Sequence, residues 1–162
     1  MDKHTQIALP SLDQAPTLYQ QQLLRIHYPE QKDHAPVLVV LQSSPQHIAL
    51  TVLSTLGIKL AQAQYNGREI KVENQPLLAK MPPANQVLGD ILFTLLPPQS
   101  WQLPEGWKMT EQHNQRFLYD PQHRLVMRVT YKNTQPIQPV LLENVPFNYQ
   151  IHIETLPTAN QK

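Results

Sequence analysis

The chain has 162 residues, with 13 Lys and Arg against 12 Asp and Glu, and no cysteine. This length suits one domain, and the near-neutral charge argues against a basic nucleic-acid-binding surface. The lack of cysteine excludes disulfides, thiolate catalysis and cysteine-based zinc sites in this sequence. Sixteen prolines and only four glycines exclude a helical bundle and a Gly-rich phosphate-binding loop, and predict many short elements.

The first 17 residues are polar and have neither a helical nor a strand period, so we predict a flexible N-terminal arm over residues 1–17. No apolar signal-peptide segment is present, and the longest apolar run, Val37–Leu41, is far below the roughly 20 residues that cross a bilayer. The sequence as given is therefore expected to be soluble. It also fits the mature part of an exported protein whose leader has been removed.

Residues 19–73 predict an antiparallel meander of five strands. Val37–Leu41 is apolar on both faces and rich in β-branched residues, which indicates a central strand. Asn66-Gly67 tolerates positive φ angles and predicts a hairpin. The five strands are predicted over residues 19–28, 37–41, 47–55, 58–65 and 68–73.

A change of period after residue 83 predicts one helix. Pro82-Pro83 suits the start of a helix, and Pro97-Pro98 cannot continue one. Because its stripe is so apolar, we expect the helix to lie against the sheet. The stripe consists of Ala84, Val87, Leu88, Ile91, Leu92, Leu95 and Leu96.

The second half of the chain predicts five more strands, over residues 107–111, 116–119, 125–131, 140–145 and 147–156, and a frayed tail over residues 158–162. The predicted fold is mainly β: a single strongly curved antiparallel sheet, forming an incomplete β-barrel, with the helix covering its concave face. The domain is predicted to span residues 18–157.

A search for catalytic or metal-binding patterns gives no site. None of the seven histidines forms an i,i+2, i,i+3 or i,i+4 pair, although His113 and His123, or His27 and His34, could meet across a turn. No serine stands in a Gly-x-Ser-x-Gly pattern. Asp90 either lies on the polar face of the helix or supports a cavity wall. We therefore expect no enzyme, no metal site and no cofactor.

Two hairpins carry a family resemblance. Leu53–Ile70 resembles the strand, Pro-Leu-Gly-type hairpin, strand and Asn-Gly hairpin of the outer-membrane lipoprotein receptor LolB. Residues 10–157 resemble more closely an uncharacterised family of small bacterial lipoproteins, encoded near aryl polyene pigment genes with a LolA-like carrier. This second resemblance rests on the Pro-Leu-Leu stretch at 76–78, the helix ahead of Trp101, Arg116–Tyr119 and Phe147–Leu156.

The resemblance implies an eleven-strand incomplete barrel with a helical lid over an apolar cavity. It also implies a lipoprotein held by an N-terminal lipidated cysteine at the periplasmic face of the outer membrane. This sequence has no such cysteine, which we attribute to removal of the leader and lipobox. In LolB, the apolar residue of the Leu-Gly hairpin helps to pass lipidated cargo into the membrane, and this role transfers to Leu56, beside Gly57. Thr55 stands where the pattern usually has proline.

Two physical expectations accompany the resemblance. Leu56 at a hairpin tip either contacts a membrane or folds back onto a neighbouring strand. Small side chains at Ala49, Ala61 and Ala63 leave room between the sheet and the helix, which gives either a cavity or a dry core. The predicted wall residues are Leu38, Val40, Leu50, Val52, Leu60, Phe117, Met127, Val129 and Tyr149, and the predicted lid residues are Ile91, Leu92, Leu95 and Leu96.

The first functional hypothesis is a monomeric periplasmic lipoprotein domain that binds an acyl or polyene lipid, or lipidated cargo, and transfers it at the inner leaflet of the outer membrane. A LolA-like periplasmic carrier is the expected partner, and nucleic acid is not expected. The alternative is a non-enzymatic adaptor in a cell-envelope export assembly that docks a protein through a strand edge or the Trp101 loop. An enzyme acting on lipid intermediates is the third hypothesis.

Overall fold

The computed structural model describes residues 8–29, 35–74, 84–133 and 138–157. Within these ranges the chain forms ten strands, one α-helix and a single 3-10 turn, Pro98–Ser100. The strands are β1 Leu18–His27, β2 Val37–Ser44, β3 His47–Ser54, β4 Lys59–Tyr65, β5 Ile70–Asn74, β6 Lys108–Gln112, β7 Gln115–Tyr119, β8 Leu125–Lys132, β9 Gln138–Asn144 and β10 Tyr149–Leu156, and the helix is α1 Ala84–Leu95.

All ten strands belong to one antiparallel sheet in the order β5-β4-β3-β2-β1-β10-β9-β8-β7-β6. Two five-strand meanders are joined where β1 pairs with β10, and the sheet does not close into a barrel because β5 and β6 are its two edges. The helix lies in the connection between those edges. The predicted mainly β fold, with one antiparallel sheet and one covering helix, is confirmed, with ten strands in the described residues instead of the eleven that the resemblance implied.

The helix contacts β4 and β5 at one edge of the sheet and β9 on the far side of the central strands. The sheet therefore curves around α1. Every residue from Val87 to Thr94 is buried. The part of the helix from Val87 to Thr94 is thus enclosed by protein on all sides, whereas a helix lying over a sheet as a lid would expose its outer face.

The core lies between α1 and the face of the sheet that it contacts, which we call the inner face. In β2, Val37, Val39 and Leu41 are buried and alternate with half-buried Leu38 and Val40, as expected for a strand with one face in the core. The inner face is continued in the other strands by Leu24, Leu50, Val52, Ala63, Met127, Val129, Leu142 and Ile151.

The two ends of the sheet differ, and we name each after one residue. At the Leu18 end, β1 begins and β8 ends. At the Leu56 end, β1 ends, the β3–β4 hairpin turns around Leu56, and β9 turns into β10. The helix begins at the Leu56 end, after β5, and its last turn reaches the Leu18 end.

The N-terminal segment corrects one prediction. Leu12 and Ala15 belong to the core, the Ser11 amide donates to the Ser100 carbonyl at 2.9 Å, and the Tyr65 hydroxyl donates to the Pro10 carbonyl at 2.7 Å. The prediction of a flexible arm is therefore wrong for residues 8–17. Two apolar residues suffice to hold an irregular segment, and an irregular segment has no period to detect.

Some predictions lie outside the described residues. These are the first seven residues of the predicted arm, the turn at 30–34, the Pro-Leu-Leu stretch with Pro82-Pro83, and the tail at 158–162.

Candidate functional site

The β3–β4 hairpin presents Leu56 to solvent on a well-ordered turn. The Ser54 hydroxyl accepts hydrogen bonds from the Leu56 amide at 3.3 Å and the Ile58 amide at 3.1 Å. Gly57 has a φ of +88°, the left-handed conformation that glycine adopts without strain. Leu56 is 87% exposed. It therefore does not fold back onto a strand, and the local hydrogen bonds fix its protrusion.

Two further aliphatic side chains are exposed at the Leu56 end. Ile58 follows in the same hairpin and Val145 lies in the turn between β9 and β10. Together with Leu56 they are the three most exposed large aliphatic residues in the described part of the chain. Exposed apolar side chains gathered at one end of a domain are typical of a surface that contacts a membrane or another protein.

Most predicted wall and lid residues lie in the core. Leu50, Val52, Met127, Val129 and Tyr149 point to the inner face, and the helix places Ile91, Leu92 and Leu96 against it. The small side chains of Ala61 and Ala63 also face α1 and allow its close approach. These described side chains pack between the helix and the sheet, as a dry core requires.

Three wall residues were placed wrongly. Leu38 and Val40 alternate with the buried positions of β2 and lie on the outer face. Phe117 lies on the outer face of β7, where its ring stacks on Tyr119 at 6.1 Å. Leu60 adjoins the register shift between β3 and β4, is partly buried and packs against the core. When a strand is apolar on both faces, its sequence does not show which residues point into the core. A β-bulge also reverses the alternation of inward and outward residues that follow it.

A cavity of about 540 Å³ does exist, but at the Leu18 end. Of the predicted lid and wall residues, Leu95 lines it. Its volume lies within the 300–1,000 Å³ of small-molecule sites. Its walls come from the start of β1, the β6–β7 turn, the ends of β8 and α1, and the start of β9. The lining residues are Pro16, Leu18, Tyr19, Gln20, Gln22, Leu41, Thr94, Leu95, Glu111, His113, Asn114, Gln115, Arg116, Tyr131 and Pro139.

Arg116 joins this cavity to the end of the helix. Its Nη1 donates to the carbonyls of Phe93 and Leu96, at 2.6 Å each, and the Tyr131 hydroxyl donates to the Thr94 carbonyl at 2.8 Å. The last carbonyls of a helix have no partner within the helix and carry partial negative charge, so a buried guanidinium is a suitable cap. Burial raises the pKa of Tyr131 to about 12, which keeps its hydroxyl a donor.

Asp90 holds the middle of the helix to the sheet. Its carboxylate is buried and accepts hydrogen bonds from the Tyr149 hydroxyl and, at 3.3 Å, from the Asn144 amide. Gln86 donates to the Tyr149 oxygen at 2.9 Å. Burial raises the pKa of Asp90 to about 6, against the opposing effect of its hydrogen bonds. Asp90 therefore does not lie on an exposed polar face.

The described residues offer no group of three or more His, Asp or Glu side chains that could hold a metal ion. In the same part of the chain, no helix is both long enough and apolar enough to cross a bilayer.

Comparison with known proteins gives a family. The model of a family described as "Protein of unknown function (DUF3261)" matches residues 19–157. The chain belongs to this family. No curated protein sequence gives a significant match. Among solved structures, a crystal structure of a LolA superfamily protein from Nitrosomonas europaea aligns with a TM-score of 0.48 and 9% identity, covering 93% of this chain and 93% of that one.

This membership confirms that most of the chain belongs to an uncharacterised family. The link to aryl polyene genes and the status as a lipoprotein stay predictions.

In this DUF3261 protein, the polar residues that line the cavity were not predicted from the sequence. Gln22 has the same strand phase as buried Leu24 and Ile26, and Arg116 has the same phase as buried Leu118. A polar residue in the buried phase of a strand is a detectable signal, because such a group needs a partner inside the fold.

Proposed function

We propose that this protein binds an acyl chain, as a free lipid or on lipidated cargo, and transfers it at a membrane that the Leu56 end contacts. The observation that carries the proposal is the 87% exposure of Leu56 on a hairpin tip fixed by Ser54. Ile58 and Val145 extend the same apolar end. The cavity at the Leu18 end supplies a separate space for a ligand.

The energies suit a reversible contact. Burial of one aliphatic side chain contributes about 1.5–3 kcal/mol, and insertion into a bilayer interface is incomplete. Leu56, Ile58 and Val145 together therefore give a contact that forms and breaks, in contrast to a membrane-spanning anchor. A carrier needs this property, since it must leave the membrane after transfer.

Transfer involves no bond chemistry in this proposal and follows from differences in affinity between protein and membrane. The helix is held at its C-terminal end by Arg116 and Tyr131 and along its length by Asp90. A ligand that enters deeper than the cavity must displace α1 and break these hydrogen bonds. Such deep binding therefore costs free energy, and this cost favours release of the ligand to a membrane or protein that binds it more tightly.

The proposed location is the periplasmic face of the outer membrane, with the protein held there as a lipoprotein. A LolA-like periplasmic carrier is the proposed protein partner, an acyl or polyene lipid is the proposed cargo, and the domain acts as a monomer. The location, the carrier and the cargo rest on the resemblance of Leu53–Ile70 to LolB and of residues 10–157 to the family of small lipoproteins.

Vesicle flotation tests the membrane contact. Liposomes of phosphatidylethanolamine and phosphatidylglycerol are mixed with the wild type, with Leu56→Glu, and with Ile70→Glu as a matched control at the opposite end of the sheet. We expect Leu56→Glu to abolish flotation and Ile70→Glu to retain it. Equal flotation of both variants, or none of the wild type, contradicts the proposed contact.

The alternative function is a protein adaptor. It is favoured by Ile70 and Val72, which are 38% and 39% exposed on the edge strand β5 and could pair with an added strand. In this case a pull-down with the LolA-like carrier is lost in Val72→Lys and is insensitive to Leu56→Glu.

A further inference from the structure

The cavity at the Leu18 end contains buried polar atoms without partners. The Gln22 side chain is 3% exposed and its Oε1 accepts no hydrogen bond from the described residues. Arg116 is 7% exposed, and in the same part of the chain its Nε has no acceptor. Buried polar groups in native proteins are nearly always paired, so two unpaired ones on residues that line one cavity mark a place for a polar ligand atom.

One edge of the Arg116 guanidinium is weakly paired. Nη1 is used by the two helix carbonyls. Nε and Nη2 lie on another edge, which is buried at Nε; among the described residues, Nε has no acceptor and Nη2 meets only Glu111, at 3.4 Å. Two parallel N–H groups on one edge match the two oxygens of a carboxylate, which is the strongest and most directional pairing of arginine.

Glu111 is a weak partner for this edge. Its side chain is 52% exposed, and the contact has a single donor and acceptor. The contact is long, at 3.4 Å, and its acidic partner is half-exposed to water, so a ligand carboxylate that reaches the cavity can replace it. Glu111 then acts as a competitor, and its charge weakens the binding of any anionic ligand.

One part of the lining is suited to a hydrocarbon chain. Leu18, Leu41, Leu95 and Pro139 contribute apolar surface. At about 30 Å³ for each water-sized group, a volume of 540 Å³ holds one chain of moderate length with its head group.

We propose that this cavity binds a single-chain fatty acid, with its carboxylate on the Nε–Nη2 edge of Arg116 and its chain among Leu18, Leu41 and Leu95. The Gln22 amide, after a half-turn that exchanges Oε1 and Nε2, donates from Nε2 to the carboxylate. This inference rests on the proposed function, because it names the class of acyl ligand.

Matched 12-carbon ligands test the head group. The delipidated full chain is titrated calorimetrically with dodecanoate, dodecanol and dodecyl phosphate. We expect dodecanoate to bind one to one and about tenfold tighter than dodecanol, as expected for a charge-assisted bidentate pair. Equal affinities for dodecanoate and dodecanol overturn the inference and leave acyl-chain binding intact. Failure of all three ligands to bind overturns both proposals, and tighter binding of the phosphate overturns the assignment to a carboxylate.

Two variants test the residues. Glu111→Gln removes the competitor and is expected to tighten dodecanoate several-fold without changing dodecanol, while Glu154→Gln, the same charge change on an exposed outer-face position, changes neither. Arg116→Gln is expected to abolish the preference for dodecanoate. If Arg116→Gln does not fold, because it caps α1, the Glu111→Gln result decides alone: no tightening, or the same tightening in Glu154→Gln, contradicts the proposal.

Discussion

The buried carboxylate of Asp90 makes the stability of this fold depend on pH in a predictable direction. Asp90 lies on α1 and accepts hydrogen bonds from Tyr149 and Asn144 of the neighbouring strands. Replacement by asparagine keeps the size of the side chain and an acceptor for the Asn144 amide. It removes the charge that burial disfavours. Asp90→Asn therefore isolates the cost of ionising this group inside the core.

The magnitude follows from the pKa of Asp90, which burial raises from 3.8 to about 6. One pKa unit corresponds to about 1.4 kcal/mol, so the difference of about two units amounts to about 3 kcal/mol. Because the folded state holds the proton more tightly, this stabilisation is fully present below pH 3.8 and is lost as the pH rises through 6. The wild type should thus lose about 2.5 kcal/mol between pH 4 and pH 8 from this residue, because part of the effect lies below pH 4.

Urea unfolding at intervals from pH 4 to pH 8 measures the effect. Other carboxylates titrate in the same range, so the decisive quantity is the difference in unfolding free energy between Asp90→Asn and the wild type. We expect this difference to shift in favour of the variant as the pH rises, while Glu154→Gln on the outer face stays parallel to the wild type. A difference that is constant from pH 4 to pH 8 refutes the account of Asp90.

Three other substitutions have defined outcomes. Leu92→Ala empties a fully buried position of α1 and should lower the unfolding free energy by about 2–5 kcal/mol in urea titrations; a loss below about 1 kcal/mol contradicts an enclosed helix. Leu56→Ala should change stability by less than about 0.5 kcal/mol yet weaken partitioning into liposomes about tenfold or more, and unchanged partitioning contradicts a membrane role. Tyr131→Phe removes the donor to the Thr94 carbonyl and should cost about 1 kcal/mol, measured as a lower urea midpoint; no change means that water replaces this bond.

The regular elements were predictable because each has its own period. The two proline pairs bracket α1, and the alternation in Tyr149, Ile151 and Ile153 gave both the strand and its inner face. The five-strand meander before the helix followed from short turns between adjacent strands. These features are local, and local patterns are what a single sequence contains.

The contacts that build the site are not local. The pairing of β1 with β10 joins the two halves of the chain, and Arg116 caps a helix that ends about twenty residues earlier. Neither follows from spacing. The phase of β2 was lost because Leu38 and Val40 are as apolar as their buried neighbours, so the prediction assigned these two residues to the wrong face. The cavity at the Leu18 end was not predicted for a related reason: the sequence gives the apolar stripe of α1 but not how deeply the helix enters the sheet.

Native mass spectrometry of the full chain, purified from its own cells without detergent, tests most directly whether this protein carries a hydrocarbon ligand. The account predicts a population heavier than the bare polypeptide by one single-chain lipid, which organic extraction removes and which is identified as a fatty acid. A spectrum with only the mass of the polypeptide, and an extract without fatty acid above that of an unrelated protein purified in parallel, contradicts it.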